Sequence, residues 1–178
     1  MSGLKLAVNA SDHFQGKADA AIILVEYGDF ECPHCRKAFP LIKRLLKESE
    51  EDILFVYRHF PLRNIHPNAM LAALAAEAAG KQNKFWEMHQ LIFENQDKLS
   101  REYLLFLANT IGLDSSRFLN DATSDEVLTK VHTDFESGIR SGVNGTPSFF
   151  LNGSGIRTYN ETYDSLLNAV KAEAGFHI

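Results

Sequence analysis

Two cysteines, Cys32 and Cys35, lie three positions apart in the segment Cys-Pro-His-Cys, and the chain has no others. A disulfide that closes so small a loop would constrain little of the unfolded chain and would add little stability. A chain of 178 residues can also bury a core without such a bridge. The pair is therefore better explained by chemistry, either disulfide exchange or metal binding.

Metal binding requires more ligands than this pair supplies. A structural zinc site has four ligands, usually completed by a second Cys pair or by a His pair at short spacing. There is no second Cys pair, and the histidines at positions 13, 59, 66, 89, 132 and 177 are scattered and form no HxxxH segment. The sequence therefore predicts no metal site, and it assigns no role to His59 or His89.

The reactivity of Cys32 depends on the pKa of its thiol, because only the thiolate attacks a disulfide. Cys32 stands at the predicted start of a helix, where unpaired backbone N–H groups and the helix macrodipole favour negative charge. His34 can donate a hydrogen bond to the sulfur, which has the same effect. Cys35, one helical turn further along and more buried, is expected to stay protonated and then to resolve a mixed disulfide formed by Cys32.

Four charged side chains flank the cysteines. Arg36 and Lys37 bring positive charge to the first turn of the helix, whereas Asp29 and Glu31 oppose it. We expect all four to be exposed and screened by solvent, so that their effects roughly cancel. The helix terminus and His34 then remain as the stronger influences on the Cys32 thiol.

The elements around the cysteines form a strand–helix–strand unit. An apolar run at 20–28 predicts a strand buried on both faces, and residues 53–57 predict a second. Between them, apolar residues recur at helical spacing after Cys35, with Pro40 inside the pattern, where it should kink the helix. The cysteines thus lie at the start of the helix of a βαβ unit.

The rest of the chain divides into a helical block and a second strand region. Helices are predicted at 67–80, 84–95, 100–111, 116–121 and 124–141, with Ser100 as an N-cap. Strand character returns at 148–151, followed by an Asn152-Gly153 turn and a partner strand at 155–159. A last helix carries an apolar stripe of Tyr163, Leu166, Leu167, Val170 and Ala174. The order βαβ, helical block, ββα indicates an α/β fold in one domain, residues 1–178.

Composition excludes several classes of function. The net charge is −5 and there is no dense Lys/Arg stripe, so nucleic-acid binding is not expected. No apolar run approaches the length of a membrane span. Residues 1–15 lack the charged-then-apolar pattern of a secretory signal. The chain as it stands is therefore expected in the cytoplasm, with export as the alternative if a signal peptide has been removed.

The order of elements and the Cys-Pro-His-Cys segment resemble the DsbA-like branch of the thioredoxin superfamily. Residues 57–62, the His66-Pro67 helix start and residues 85–89 are similar to bacterial members with a helical insertion. The resemblance extends over about 12–174. It implies a thioredoxin fold built from about 12–65 and 142–178, with an all-helical subdomain inserted at about 66–141.

The resemblance also implies a role for Glu26, six residues before Cys32. Proteins of this branch keep a buried glutamate beneath the active site. Such a carboxylate, acting through a water, could accept and return the proton that Cys35 must lose. The alternative is a charge at the end of a strand that faces solvent, but burial without a role would reduce stability.

Thr146-Pro147 resembles the cis-proline loop that faces the Cys pair in this superfamily. A cis bond here would expose the backbone of Thr146 to an extended substrate segment, which would pair with it as an added strand. Pro33, between the two cysteines, is expected to belong to the same substrate-binding surface. The alternative for Pro147 is a trans proline that opens the following strand.

The expected activity is disulfide exchange with protein or peptide thiols, with a tendency to oxidase or isomerase chemistry, because a stabilised thiolate makes the disulfide a stronger oxidant. The Cys pair is itself the redox group, so no dissociable cofactor is expected; glutathione and a recycling redox protein are candidate partners. Two other functions stay open. One is a glutathione-dependent transferase or isomerase on the same fold, whose members usually have Ser in place of Cys32. The other is a binding module in which the cysteines are silent.

Overall fold

The computed structural model describes residues 3–49 and 52–173. Within them the strands are β1 (His13–Gly16), β2 (Ile22–Gly28), β3 (Ile53–His59), β4 (Ser148–Leu151) and β5 (Ser154–Gly155). The helices are α1 (Pro33–Glu48), α2 (Ala69–Gly80), α3 (Phe85–Glu94), α4 (Arg101–Thr110), α5 (Ser115–Asp121), α6 (Asp125–Arg140) and α7 (Tyr163–Glu173). These elements give the predicted order βαβ, helical block, ββα, preceded by one additional strand.

The sheet has the strand order β1-β3-β2-β4-β5, with β2 and β3 parallel at its centre. Alternate residues of β2 enter two separate cores: Leu24 packs with α1 and the helical block, whereas Val25 packs on the other face with Phe60 and Phe150. This two-sided burial explains why β2 and β3 are continuous apolar runs. Glu26 interrupts the run, opposite Tyr57 of β3 and Phe149 of β4. The predicted thioredoxin-type α/β fold is confirmed.

Most predicted helices are present within one or two residues of their expected ends. Ser100 accepts a hydrogen bond from the Tyr103 N–H and caps α4, as predicted, and Ser124 caps α6 in the same way. The main helix, α1, continues through Pro40. Ala174, the last residue of the predicted apolar stripe, lies outside the described residues. None of the helices in 3–49 and 52–173 is long and apolar enough to cross a membrane.

Two strands differ from the prediction. The edge strand β1 was not predicted, because its four residues are mostly exposed and carry no apolar alternation. It forms by antiparallel pairing with β3, and the His13 ring stacks on Phe85 at 3.6 Å. The predicted partner strand of β4 at 155–159 is present but much shorter: β5 comprises Ser154–Gly155 and pairs antiparallel with β4. The Ile156 N–H still donates a hydrogen bond to the Phe149 carbonyl, and the chain then leaves the sheet.

Gly28, the last residue of β2, lies close to the ring of Tyr57. A Cβ atom at position 28 would lie 2.4 Å from the nearest Tyr57 ring carbon, and Tyr57 is fully buried. We expect Gly28→Ala to lower the free energy of unfolding by about 1–3 kcal/mol, because overpacking forces buried side chains from their rotamers. Gly145→Ala is the matched control, since its Cβ would meet no atom within 4 Å. Urea unfolding measures both; equal stability of the two variants would contradict this account.

Candidate active site

The Cys pair lies where the central strand β2 passes into α1. Cys32 is the N-cap of α1, with extended backbone, and Pro33 occupies the first helical position, which suits its fixed φ. Cys32 is 3% exposed and Cys35 is fully buried, and no disulfide joins them. The Cys32 Sγ lies 3.3 Å from the carbonyl oxygen of Thr146. The loop before β4 therefore lies directly beside the Cys32 sulfur, and the Thr146–Pro147 peptide within it is cis.

The two cysteines have opposite pKa shifts. The hydrogen bond from the Cys35 side chain is the largest influence on Cys32; with Thr146 and the backbone N–H groups of His34 and Cys35, it outweighs burial and lowers the pKa of Cys32 to about 5. Burial and the hydrogen bond to Cys32 raise the pKa of Cys35 well above its ordinary value, although the Asp29 N–H lies 3.4 Å from its sulfur. Near pH 7, Cys32 is therefore a thiolate and Cys35 a thiol.

Glu26 lies beneath the pair on β2 and is 2% exposed. Burial, reinforced by the negative charge of Cys32, raises the pKa of Glu26 to about 8. Its charge also contributes to the raised pKa of Cys35, so the two groups share one electrostatic environment. A carboxyl group that titrates near neutral pH beside a buried thiol is suited to proton transfer.

A cavity of about 110 Å³ reaches Glu26. Its wall is largely apolar, with Gln15, Lys43 and Gln90 as its polar residues apart from Glu26 and His89. Gln15 and Lys43 are exposed, so the cavity connects Glu26 with the protein surface. Neither cysteine lines this cavity.

The family model described as Thioredoxin matches residues 8–172. The chain belongs to the thioredoxin family. A thioredoxin-like oxidoreductase from Silicibacter pomeroyi DSS-3 has a similar structure, with a TM-score of 0.84, 25% sequence identity and 95% of each chain covered. BdbD from Bacillus subtilis, in its oxidised form, aligns with a TM-score of 0.81 at 23% identity, over 93% of this chain and 94% of that one.

The thiol–disulfide exchange protein alpha-DsbA2 from Wolbachia pipientis has the same fold, with a TM-score of 0.81 at 21% identity over 92% of this chain and 88% of that one. The predicted resemblance to DsbA-like members of the thioredoxin superfamily is thereby confirmed. The predicted enzyme class, a thiol–disulfide oxidoreductase, is consistent with membership of the thioredoxin family.

Curated relatives match a segment of longer proteins. The chain is 43% identical over 142 residues to a Na(+)/H(+) antiporter NhaA 1 from Salinispora arenicola, covering 80% of this chain and 22% of that protein. It is 43% identical over 144 residues to a protein of the same name from Mycolicibacterium vanbaalenii, covering 80% of this chain and 23% of that protein. The chain thus spans under a quarter of the length of these two relatives.

In this thioredoxin-family site, the His34 side chain is directed toward Glu161. The His34 Nδ1 and a Glu161 carboxylate oxygen form a hydrogen bond, and among the described residues no side-chain hydrogen bond joins His34 to the Cys32 sulfur. The contribution of His34 to the lowered pKa of Cys32 comes from its backbone N–H. Sequence reasoning missed Glu161, which lies in an irregular segment with no periodic pattern.

The expectation that all four flanking charges are exposed is wrong for Asp29. It is buried, and its carboxylate accepts hydrogen bonds from the Glu31 N–H at 2.8 Å and from the Leu62 N–H at 2.9 Å. His66 Nδ1 lies 2.8 Å from the same carboxylate. A buried carboxylate with several partners fixes a loop, and Asp29 therefore ties the segment before Cys32 to the segment after β3.

Two of the histidines that appeared scattered in the sequence meet at one buried carboxylate. His13 Nε2 lies 2.9 Å and His59 Nε2 2.8 Å from oxygens of Glu77. Burial alone would raise the pKa of Glu77, but these hydrogen bonds hold it well below its ordinary value. Ligand atoms of His59, Glu77 and Asp134 lie within 4.8 Å of one another. Asp134 is already paired with the Lys130 ammonium at 2.7 Å, so the cluster is explained by its internal hydrogen bonds.

Proposed function

We propose that this chain exchanges disulfides with extended segments of protein substrates and acts as an oxidase or isomerase. The observation that carries the proposal is the opposite shift of the two cysteines, with the pKa of Cys32 near 5 and that of Cys35 raised. A stabilised thiolate favours the reduced form, which makes the Cys32–Cys35 disulfide a strong oxidant. The Cys pair carries the electrons, and the reaction needs no dissociable cofactor.

In the oxidising direction, a substrate thiolate attacks the Cys32 sulfur of the disulfide. The Cys32–Cys35 bond breaks, a mixed disulfide forms, and Cys35 leaves with the electron pair and takes the proton of Glu26. A second substrate thiolate then attacks the substrate sulfur and releases Cys32 as a thiolate. The substrate loses two electrons and the Cys pair gains them. In the isomerase direction the Cys32 thiolate attacks a substrate disulfide and releases one substrate thiolate, and a substrate thiolate then attacks the substrate sulfur of the mixed disulfide and returns Cys32 as a thiolate. If Cys35 instead resolves the mixed disulfide, the substrate is reduced, the Cys pair is oxidised, and Glu26 accepts the proton of Cys35.

Substrate docking is assigned to Thr146, Pro147 and Pro33. Thr146 and Pro147 are half-buried beside the Cys32 sulfur, and Pro33 is exposed next to it. An extended segment that pairs with the Thr146 backbone would bring its own sulfur to Cys32. A strongly oxidising disulfide persists only in an oxidising compartment, so of the two locations considered we propose the exported one. The proposed redox partners are glutathione and a protein that recycles the Cys pair.

Titration of the thiolate absorbance tests the basis of this proposal. We expect Cys32 to ionise with a pKa of about 5, as the surroundings of its sulfur require. Equilibration in defined glutathione buffers should then give a reduction potential clearly above that of thioredoxin, about −270 mV. A Cys32→Ser variant supplies the background absorbance. An ordinary cysteine pKa together with a thioredoxin-like potential would refute the oxidase assignment.

A further inference from the structure

Glu161 connects the loop before α7 to the first turn of the active-site helix. One of its carboxylate oxygens pairs with His34 Nδ1, and the other accepts a hydrogen bond from Lys37 Nζ at 2.9 Å. His34 and Lys37 are three positions apart, so both lie on the same face of α1. A single carboxylate thus holds the histidine that lies between the two cysteines and a lysine on the same face.

The conformation of Glu161 is unusual for its residue type. Its φ is +67°, in the left-handed region that residues other than Gly rarely adopt. The side chains of the triad are partly or largely exposed, at 35% for Glu161, 55% for His34 and 61% for Lys37. Exposed ion pairs add little stability, so the fold gains little from this arrangement. Backbone outliers of this kind are concentrated at functional sites.

We infer that Glu161 is a positioning residue that turns the His34 imidazole away from Cys32 and so limits the oxidising power of the Cys pair. The inference rests on the proposed function. A histidine near the reactive sulfur favours the thiolate when it is cationic. Glu161 opposes this in two ways: it directs the ring to itself, and its negative charge offsets positive charge on the ring. The reduced form is therefore less stabilised than the Cys-Pro-His-Cys segment alone would make it.

Whether Glu161 raises or lowers the pKa of Cys32 depends on which groups are charged at the pH where Cys32 titrates. Its pKa is about 5, so the charges that matter are those present in mildly acidic solution. Hydrogen bonds from Lys37 and His34 lower the pKa of Glu161, so it is ionised there. Removing the Glu161 charge leaves cations near Cys32 less compensated and releases the ring. The Cys32 thiolate then becomes more stable.

The test is Glu161→Gln, which keeps the shape of the side chain and removes its charge. We expect the Cys32 pKa to fall by about half a unit, the size typical of exposed charge pairs. The equilibrium constant with glutathione should shift roughly threefold toward the reduced protein. Lys37→Met is the matched control for the second partner and should move the pKa in the opposite direction, because it removes a cation.

A double variant separates positioning from a simple charge effect. In a His34→Ala background, Glu161→Gln should shift the Cys32 pKa by less than half as much as in the wild type. An equal shift in both backgrounds, or no shift in either, would overturn the inference. Thiolate absorbance reports the Cys32 pKa even without turnover, whereas a failure of the proposed function would appear as a wild-type protein that does not exchange disulfides.

Discussion

Cys35→Ser is expected to leave the protein covalently joined to its substrates. Cys32 can still form a mixed disulfide, but without the second thiol nothing within the site resolves it. Incubating the variant with a protein that contains disulfides should produce a reducible adduct on a non-reducing gel, and mass spectrometry should place its bond at Cys32. Wild-type protein under the same conditions should show little adduct, because Cys35 resolves it.

Cys32→Ser is the matched variant and should reduce disulfide exchange by a factor on the order of 10³ or more, as expected when a nucleophile is deleted. It should form no adduct, because the remaining thiol, Cys35, is fully buried and its pKa is raised. Glutathione conjugation that survives Cys32→Ser would instead indicate a transferase on the same fold. An unchanged cellular phenotype would indicate a binding module with silent cysteines.

Glu26→Gln is expected to slow disulfide exchange by about 10²-fold at pH 7, within the range that general acid–base groups contribute. The amide keeps the size of the side chain but neither donates to nor accepts a proton from Cys35. The loss should appear in the resolution step more than in the first attack by Cys32, so stopped-flow measurement of mixed-disulfide decay is the readout. Equal slowing of both steps would exclude a role specific to Cys35.

The same variant should be more stable than the wild type at alkaline pH. Burial raises the pKa of Glu26 from 4.5 to about 8, so the folded state holds this proton more tightly than the unfolded state does. Its contribution to stability is present below pH 4.5 and is lost as the pH rises through 8. Glu26→Gln should therefore gain roughly 4 kcal/mol at pH 8 relative to wild type, and only about 1 kcal/mol at pH 5.

Glu77→Gln is the control variant, because its expected change in stability is opposite to that of Glu26→Gln. The pKa of Glu77 is held low by His13 and His59. A carboxylate of this kind stabilises the protein above its ordinary pKa and loses that contribution as the pH falls. Glu77→Gln should therefore be less stable than wild type at neutral pH. Urea unfolding of both variants at pH 5 and pH 8 makes the comparison; a Glu26→Gln protein no more stable at pH 8 would contradict the raised pKa.

The sequence predicted the features that depend on local pattern. The continuous apolar runs of β2 and β3, the Ser100 cap and the position of Cys32 at a helix start can each be identified from neighbouring residues alone. Helical periodicity likewise gave α2 to α7 to within a few residues. The α/β class follows from the order of these elements, whereas the thioredoxin fold with its helical insertion was predicted from the family resemblance.

Features that depend on distant partners could not be predicted in this way. The polar strand β1 forms because β3 offers it an unpaired edge, and Asp29 is buried because residues 62 and 66 return to it. Glu161 meets His34 only when the loop before α7 reaches α1. The cis-proline loop was expected from family resemblance, since no local pattern distinguishes a cis from a trans proline here.

The length of the two edge strands affects the risk that a protein which binds unfolded polypeptides will aggregate with them. An enzyme that binds extended polypeptides risks joining them to its own edge strands and seeding aggregates. Here the two outer strands, β1 and β5, are four and two residues long. The chain leaves the sheet right after β5, which keeps that edge short. Under the proposed function, an unfolded polypeptide bound at Thr146 would meet only these short edge strands, which disfavours nucleation of an intermolecular sheet.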